Sequence, residues 1–291
     1  MSIWWEVADM RNLLSAGFTR LGKNAAFYLT AGALLILAAA MMLTAGRTAL
    51  RNTSDYVYTL EQHYFDLAGY MGFFLAAFIA LFIGTEYSDG TIRNKLIVGH
   101  GRVSIYLSGL IVCGAASAVF NTAAMVGGLA GVPMLGFWTL GAGEVAMAFL
   151  IAFLSGVALT AILLVVSMLT SNRARGVVIC IFLFLSLLLL GSFLYNSLLE
   201  PEMHSNMIIT MDGITTAPAE PNPDYVAEPL RSVYMALLNI LPTGQMVLLA
   251  NISYSSQEGL TVYPLQIAGS FLVIALATGV GLLLFRRKDL K

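Results

Sequence analysis

Between two apolar segments of membrane-spanning length, the chain carries the polar run Glu86-Tyr87-Ser88-Asp89-Gly90-Thr91-Ile92-Arg93-Asn94-Lys95-Leu96. A helix needs roughly twenty apolar residues to cross the ~30 Å hydrocarbon core of a bilayer. The flanking segments, residues 67–85 and 103–132, meet that requirement. The run therefore predicts a polar connection, residues 86–102, that lies at one membrane surface between two transmembrane helices.

The composition excludes a water-soluble protein. Of the 291 residues, 58% are hydrophobic and only 11% are charged, so there are too few polar side chains to cover a soluble domain. The formal net charge of -1 gives no indication of a nucleic-acid partner. Cys113 and Cys180 both lie in apolar runs, which predicts buried free thiols.

Apolar segments predict six transmembrane helices in a single all-α membrane domain, residues 1–291. Twelve of the fifteen Lys and Arg residues lie before the first span, after the last span, or in the connections 86–102 and 170–176. Because cytoplasmic loops carry an excess of Lys and Arg, this distribution predicts that both termini lie in the cytoplasm. The predicted spans are residues 24–46, 67–85, 103–132, 145–169, 177–199 and 265–285.

The N-terminal segment, residues 1–23, predicts an interfacial helix. It carries acidic residues near its start, unlike the basic start of a cleaved signal peptide. Its apolar residues Met10, Leu14, Phe18 and Leu21 recur at steps of three and four, as in a helix with one face in lipid. An amphipathic helix packed against protein is the alternative.

The connection 200–264 is acidic and rich in proline, which predicts an extracellular loop. Residues 232–250 within it are apolar, but Asn239, Pro242, Gly244 and Gln245 interrupt them. A span at this place would move the basic C-terminus outside, against the charge distribution. We therefore predict a re-entrant helical hairpin, whose broken backbone is tolerated where protein or water surrounds it.

The motifs give no catalytic, cofactor-binding or metal-binding residue. Residues 17–24 match a phosphate-binding loop up to Lys23, but Asn24 stands where a Ser or Thr would bind magnesium, and no strand precedes the segment. The histidines lack a second metal ligand at helical spacing. The sequence therefore predicts a protein that is not an enzyme and has no cofactor of its own.

The polar run itself predicts a short helix parallel to the membrane. Ser88 or Asp89 can cap it, and Gly90 permits the turn before it. Ile92 and Leu96 lie one turn apart, so they would form one apolar face beside the neighbouring cations. Such a surface fits a groove on a cytoplasmic protein. The alternative is a solvated basic connector that only obeys the charge rule.

The string from Gly84 to Leu96, followed by Gly99 and Arg102, resembles the first intracellular loop of bacterial ABC-2 type permeases, the membrane subunits of ATP-binding-cassette exporters. The interfacial helix, the six spans and the segment 241–245 before the last span extend the resemblance over nearly the whole chain. In size and sequence character, the chain most resembles Gram-positive peptide exporters of the phenol-soluble modulin or lantibiotic type.

The resemblance implies a role for each end of the molecule. Residues 86–102 would form the coupling loop that meets a separate ATPase, with Ile92 and Leu96 as its docking face. The hairpin would gate the outer end of the pathway. The implied ATPase-coupling residues are Glu86, Gly90, Thr91, Ile92, Arg93, Asn94, Lys95 and Leu96, and the implied gate residues are Asn239, Pro242, Gly244 and Gln245.

The resemblance also implies partners, location and function. Two ATP-binding cassette subunits, which hold the ATP and magnesium, would join two permease copies in a bacterial plasma membrane. The substrate would be hydrophobic or amphipathic, with an antimicrobial or cytolytic peptide as the best candidate, and would leave the cell. An ion- or proton-coupled secondary transporter is one alternative, although no ionisable residue is visible near the middle of a span. A membrane assembly or sensor protein is the other.

Overall fold

The computed structural model describes residues 2–52, 58–204, 207–210, 213–216 and 219–289. Within these ranges, short strands occur only between residues 203 and 221. The elements are α1 (Ser2–Gly22), α2 (Ala25–Arg51), α3 (Glu61–Tyr64), α4 (Ala68–Ser88), α5 (Thr91–Ile97), α6 (Arg102–Gly128), a 3-10 turn (Leu129–Gly131), α7 (Val132–Leu135), α8 (Ala142–Leu169), α9 (Arg173–Leu199), β1 (Met203–His204), β2 (Met207–Thr210), β3 (Gly213–Thr216), β4 (Glu220–Pro221), α10 (Leu230–Ile240), α11 (Pro242–Ala250), α12 (Ile252–Gln257) and α13 (Tyr263–Arg287).

Helices α2, α4, α6, α8, α9 and α13 are long and apolar enough to cross a membrane, which confirms the predicted all-α architecture with six spans. Each is a run of good helix formers, and the prolines near them stand at helix starts. Pro133, Pro242 and Pro264 occupy the first turn of α7, α11 and α13, where a missing N–H group costs no helical hydrogen bond.

Helices α4 and α8 form the centre of the bundle, and more than half of the residues in their most apolar stretches are buried. An aromatic cluster joins α4 to α2 and α6. The ring centroids of Phe78 and Phe120 are 5.0 Å apart, and those of Phe27 and Phe120 are 5.6 Å apart. Gly127 lets α2 and α6 approach closely, because a Cβ atom there would lie 2.3 Å from the Leu35 carbonyl oxygen. By contrast, α2, α9 and α13 keep large apolar surfaces that face outward.

The C-terminus of α1 and the last turn of α13 lie at the end of the bundle that carries α5, which we call the α5 end. One Arg102 nitrogen, Nη1, donates to the carbonyl oxygens of Phe285 at 2.9 Å and Lys288 at 2.6 Å. Lys288 Nζ donates to the carbonyl oxygen of Met168, at the end of α8, at 3.0 Å. The last turn of α13 therefore lies beside the first turn of α6, at the same end as the C-terminus of α1.

The segment between α9 and α13 lies at the opposite end. Two antiparallel strand pairs form in it, β1 with β4 and β2 with β3. Helices α10 and α11 follow and meet at 90°. With a rise of 1.5 Å per residue, helices of 11 and 9 residues reach only about half the ~30 Å core. Because α9 ends and α13 begins at this same end, the bent pair makes no net crossing of the bundle.

The bend depends on glycine at position 244. A Cβ atom at Gly244 would lie 2.2 Å from the Leu238 carbonyl oxygen, and Gly191 of α9 packs against the backbone of Thr243 and Gly244. Leu241, between the two helices, has an extended backbone. Helix α11 can therefore turn back against α10 because its first turn carries no side chain at this contact.

We predict that Gly244→Ala lowers the free energy of unfolding by about 1–3 kcal/mol, because the added methyl group meets backbone that cannot move aside. Gly279→Ala is the matched control, since a Cβ atom at Gly279 in α13 has no heavy atom within 4 Å. Thermal unfolding of both variants in detergent tests this. Equal stability of the two variants would contradict the tight contact at the bend.

Candidate functional site

The predicted coupling residues lie in a compact turn between α4 and α6. Gly90 adopts a left-handed backbone conformation, φ 68°, and is itself the N-cap of α5, without a side-chain cap. The predicted capping by Ser88 or Asp89 is therefore wrong. Gly99, with φ 102°, ends the helix, and His100 N donates to the Lys95 carbonyl oxygen at 3.0 Å. Two glycines in the left-handed region thus confine α5 to two turns.

A cluster of three ion-paired residues holds α5 against α1 and α4. Glu86, in the last turn of α4, is only 6% exposed. Its Oε1 atom lies 2.5 Å from Arg20 Nη1 and 2.8 Å from Lys95 Nζ. One buried carboxylate oxygen therefore joins α1, α4 and α5. We call Arg20, Glu86 and Lys95 the ion node.

Arg20 makes further contacts that hold α1 against α4. Its guanidinium carbon lies 3.7 Å from the centroid of the Phe82 ring, and its Nη2 atom donates to the Phe82 carbonyl oxygen at 3.2 Å. This cation–π contact and hydrogen bond use parts of the guanidinium that do not contact Glu86. The predicted interfacial helix therefore packs on protein through Arg20, and Leu13 and Leu21 of the same helix are buried.

The ion node is desolvated, and this affects its cations. Burial lowers the pKa of Arg20 to about 10. Burial, with the nearby charge of Arg20 as a second cause, lowers the pKa of Lys95 to about 8. The Glu86 carboxylate favours the charged form of both groups. Both side chains are therefore cations at neutral pH, and both depend on Glu86 for charge compensation.

Tyr87, the residue after Glu86, connects α4 to the other side of the α5 end. Its hydroxyl donates to the Met168 carbonyl oxygen at the end of α8. The Lys288 ammonium lies 4.0 Å from the centroid of the Tyr87 ring, and burial lowers the pKa of Lys288 to about 8. The last turn of α4 thus contacts α1 and α5 through Glu86, and α8 and the end of α13 through Tyr87.

The structure corrects the predicted docking face of α5. Ile92 is 1% exposed and belongs to the apolar core, and Leu96 packs against that core. The exposed side chains are instead Ile97, at 71%, and Val98, at 78%, with Arg93 and Asn94 exposed on the preceding turn. The helix turns this way because Lys95 must reach Glu86. The coupling roles of the eight predicted residues stay a prediction.

The four predicted gate residues lie together at the bend between α10 and α11, and all four are buried. Gln245 Nε2 donates to the carbonyl oxygens of Asn239 at 2.8 Å and Gln266 at 2.9 Å. Asn239 Nδ2 donates to the Leu260 carbonyl oxygen at 2.9 Å, and Asn239 Oδ1 accepts from Val262 N at 2.9 Å. These amides hold the hairpin against the start of α13, and their gating role stays a prediction.

Four residues of the α5 end were not found from the sequence, namely Arg20, Tyr87, Arg102 and Lys288. A carboxylate at the end of an apolar run, such as Glu86, signals that a cation must lie nearby, because an unpaired buried charge is costly. That signal does not say which of the basic residues supplies it. In the part of the chain that the structure describes, no group of three or more His, Cys, Asp or Glu side chains could hold a metal ion.

The fold and this site define a multi-pass membrane protein with a polar, ion-paired surface at one end. The family model described as ABC-2 family transporter protein matches residues 13–191, which is more than half of the chain. The chain therefore belongs to the ABC-2 transporter family and is a membrane subunit of an ABC transporter. The family implies an ATP-binding cassette partner. No curated protein matches the sequence.

We predict that Glu86→Gln lowers the free energy of unfolding by about 3 kcal/mol, because it leaves two cations without the carboxylate that contacts both of them in a desolvated site. Glu202→Gln, which neutralises an exposed acid at the opposite end of the bundle, is the matched control and should change stability by less than about 0.5 kcal/mol. Thermal unfolding in detergent compares the two variants. If Glu86→Gln unfolds at the temperature of the control, the ion node does not stabilise the α5 end.

Proposed function

We propose that the chain is the permease of an ABC exporter, which carries a hydrophobic or amphipathic substrate out of the cell when a separate subunit hydrolyses ATP. An antimicrobial or cytolytic peptide is the proposed substrate. The observation that carries the proposal is the helix α5. It is tied to a transmembrane helix by the ion node, and it exposes two aliphatic side chains at an otherwise polar end.

The exposed side chains on α5 support a protein partner on this face. Ile97 and Val98 are adjacent, and both are more than two-thirds exposed. A contiguous exposed apolar surface with a polar rim is typical of an interaction site. Arg93 and Asn94 supply the rim. In the proposed complex this face enters a groove on the ATPase, and the α5 end lies in the cytoplasm as the charge distribution predicts.

A force applied to α5 has a continuous path to the centre of the bundle. Ile92 is packed in the core, and Lys95 is paired with Glu86 of α4. Helix α4 packs along α8 and α9. In the proposed mechanism, two ATPase copies close on ATP, push on α5 in each of two permease copies, and tilt α4 with the helices packed on it. The outward apolar faces of α2, α9 and α13 would be covered by lipid and by the second copy.

Reconstitution tests the proposal. The permease is co-expressed with the ATPase encoded beside it, purified, and inserted into vesicles with a cationic amphipathic peptide. We expect a complex that hydrolyses ATP, with hydrolysis stimulated by the peptide and ATP-dependent movement of the peptide across the bilayer. Transport by the lone chain under an imposed ion gradient would instead support a secondary transporter. Binding of the ATPase without movement of any solute would support an assembly or sensor protein.

We predict that Val98→Asp weakens binding of the ATPase by about tenfold, because it places a charge in the apolar centre of the docking face. Arg93→Glu should weaken binding through the rim of the same face. Arg287→Glu is the matched charge-reversal control, since Arg287 is exposed at the α5 end but lies on α13. Co-purification and peptide-stimulated ATPase rates measure the effect. Val98→Asp with wild-type binding would remove α5 as the docking surface.

A further inference from the structure

A cavity of about 310 Å³ opens at the end of the bundle opposite α5, between α2, α4, α9 and α11. Its wall combines an apolar part with a polar part. Met41, Leu188 and Val247 form the apolar part, while Asp66, Ser192 and Asn251 are among the polar residues. The volume lies at the lower end of the range of about 300–1,000 Å³ for small-ligand pockets, so it fits one side chain or a small organic molecule.

The polar part of the wall includes one carboxylate. Asp66, just before the first turn of α4, is the one charged residue among those that line the cavity in the described part of the chain. Its Oδ2 atom lies 3.0 Å from His63 Nδ1, so the histidine can hold the carboxylate in place through one oxygen. This hydrogen bond raises the pKa of His63, so the carboxylate stands beside a neutral imidazole, with its negative charge uncompensated, above that pKa. Binding of a cation is therefore measured at a pH above it. Tyr70 also lines the cavity and is exposed, so its aromatic ring is open to a cation.

We infer that this cavity binds an ammonium or guanidinium group that is carried on an apolar body, with Asp66 as the counter-ion. The carboxylate and the Tyr70 ring attract the cation, and Met41, Leu188 and Val247 pack against the apolar part of the ligand. The inference rests on the proposed function for its cargo, since a Lys or Arg side chain of an exported amphipathic peptide is such a group. The cavity would hold that side chain near the outer end of the pathway.

The binding test uses the full-length permease alone, in nanodiscs of phosphatidylcholine. The probe is dansylcadaverine, a fluorescent primary amine, and its N-acetylated form is the uncharged control of nearly the same shape. We expect saturable binding of the amine and binding of the acetylated form that is weaker by about tenfold, the loss expected for a charge-assisted hydrogen bond. Equal binding of both forms would overturn the site as a cation site and assign the cavity to lipid or another neutral apolar occupant.

Two variants locate the binding within the cavity. Asp66→Asn should weaken binding of the amine about tenfold and leave the acetylated probe unchanged. Asp224→Asn removes an exposed acid from the same end of the molecule and should change neither. Gly69→Leu should remove binding of both probes, because Gly69 lines the cavity and a Cβ atom there meets no neighbour within 4 Å. Amine binding that survives both Asp66→Asn and Gly69→Leu would overturn the proposal.

Competition then identifies the source of the cation. A lysine-containing amphipathic peptide that displaces the amine, while its lysine-acetylated form does not, supports a transported peptide as the ligand. Displacement by small alkylamines alone supports the site with a small amine as its ligand. Because no ATPase is present, failure of this experiment leaves the proposed exporter function standing. Failure of the ATPase to bind, in turn, leaves the result of the probe experiment unaffected.

Discussion

A carboxylate that is withdrawn from water needs compensating positive charge, and Glu86 imposes that requirement on the whole α5 end. Its single oxygen receives Arg20 from α1 and Lys95 from α5, at 2.5 and 2.8 Å. These two contacts and the burial of Ile92 together fix the rotation of α5 that leaves Ile97 and Val98 exposed. The surface proposed to receive the ATPase is thus set by electrostatics inside the protein.

Polar contacts concentrate at the two ends of the bundle, and the middle is mostly apolar. At one end are the ion node and the Tyr87, Arg102 and Lys288 contacts, and at the other are the amides of Asn239 and Gln245. Hydrogen bonds and ion pairs have fixed geometry, whereas apolar contacts between long helices are non-directional. Such a bundle keeps its ends defined while its long helices can shift against one another, which is what the proposed tilting mechanism needs.

The sequence predicted what depends on local composition and missed what depends on distant partners. Six spans and a break in the segment 232–250 follow from apolar length and from Pro242 with Gly244. The burial of Ile92 does not follow from local sequence, because a helix of seven residues can turn either face toward the core. The contact of Lys95 with Glu86, nine residues earlier, favours the face that carries Ile92. The pairing of Arg20 with Glu86 spans 66 positions, and nothing local marks it.

The family model matches residues 13–191, and the cavity is lined by residues inside and beyond that region. Residues 13–191 contain the ion node, α5 and the central helices α4 and α8, which together are the proposed route for force. The hairpin helix α11, which contributes Val247 and Asn251 to the cavity, lies beyond that region. The proposed coupling surface therefore lies inside the region that the family model matches. The proposed cation site is therefore built from both parts, because Asp66 and Tyr70 lie inside the matched region.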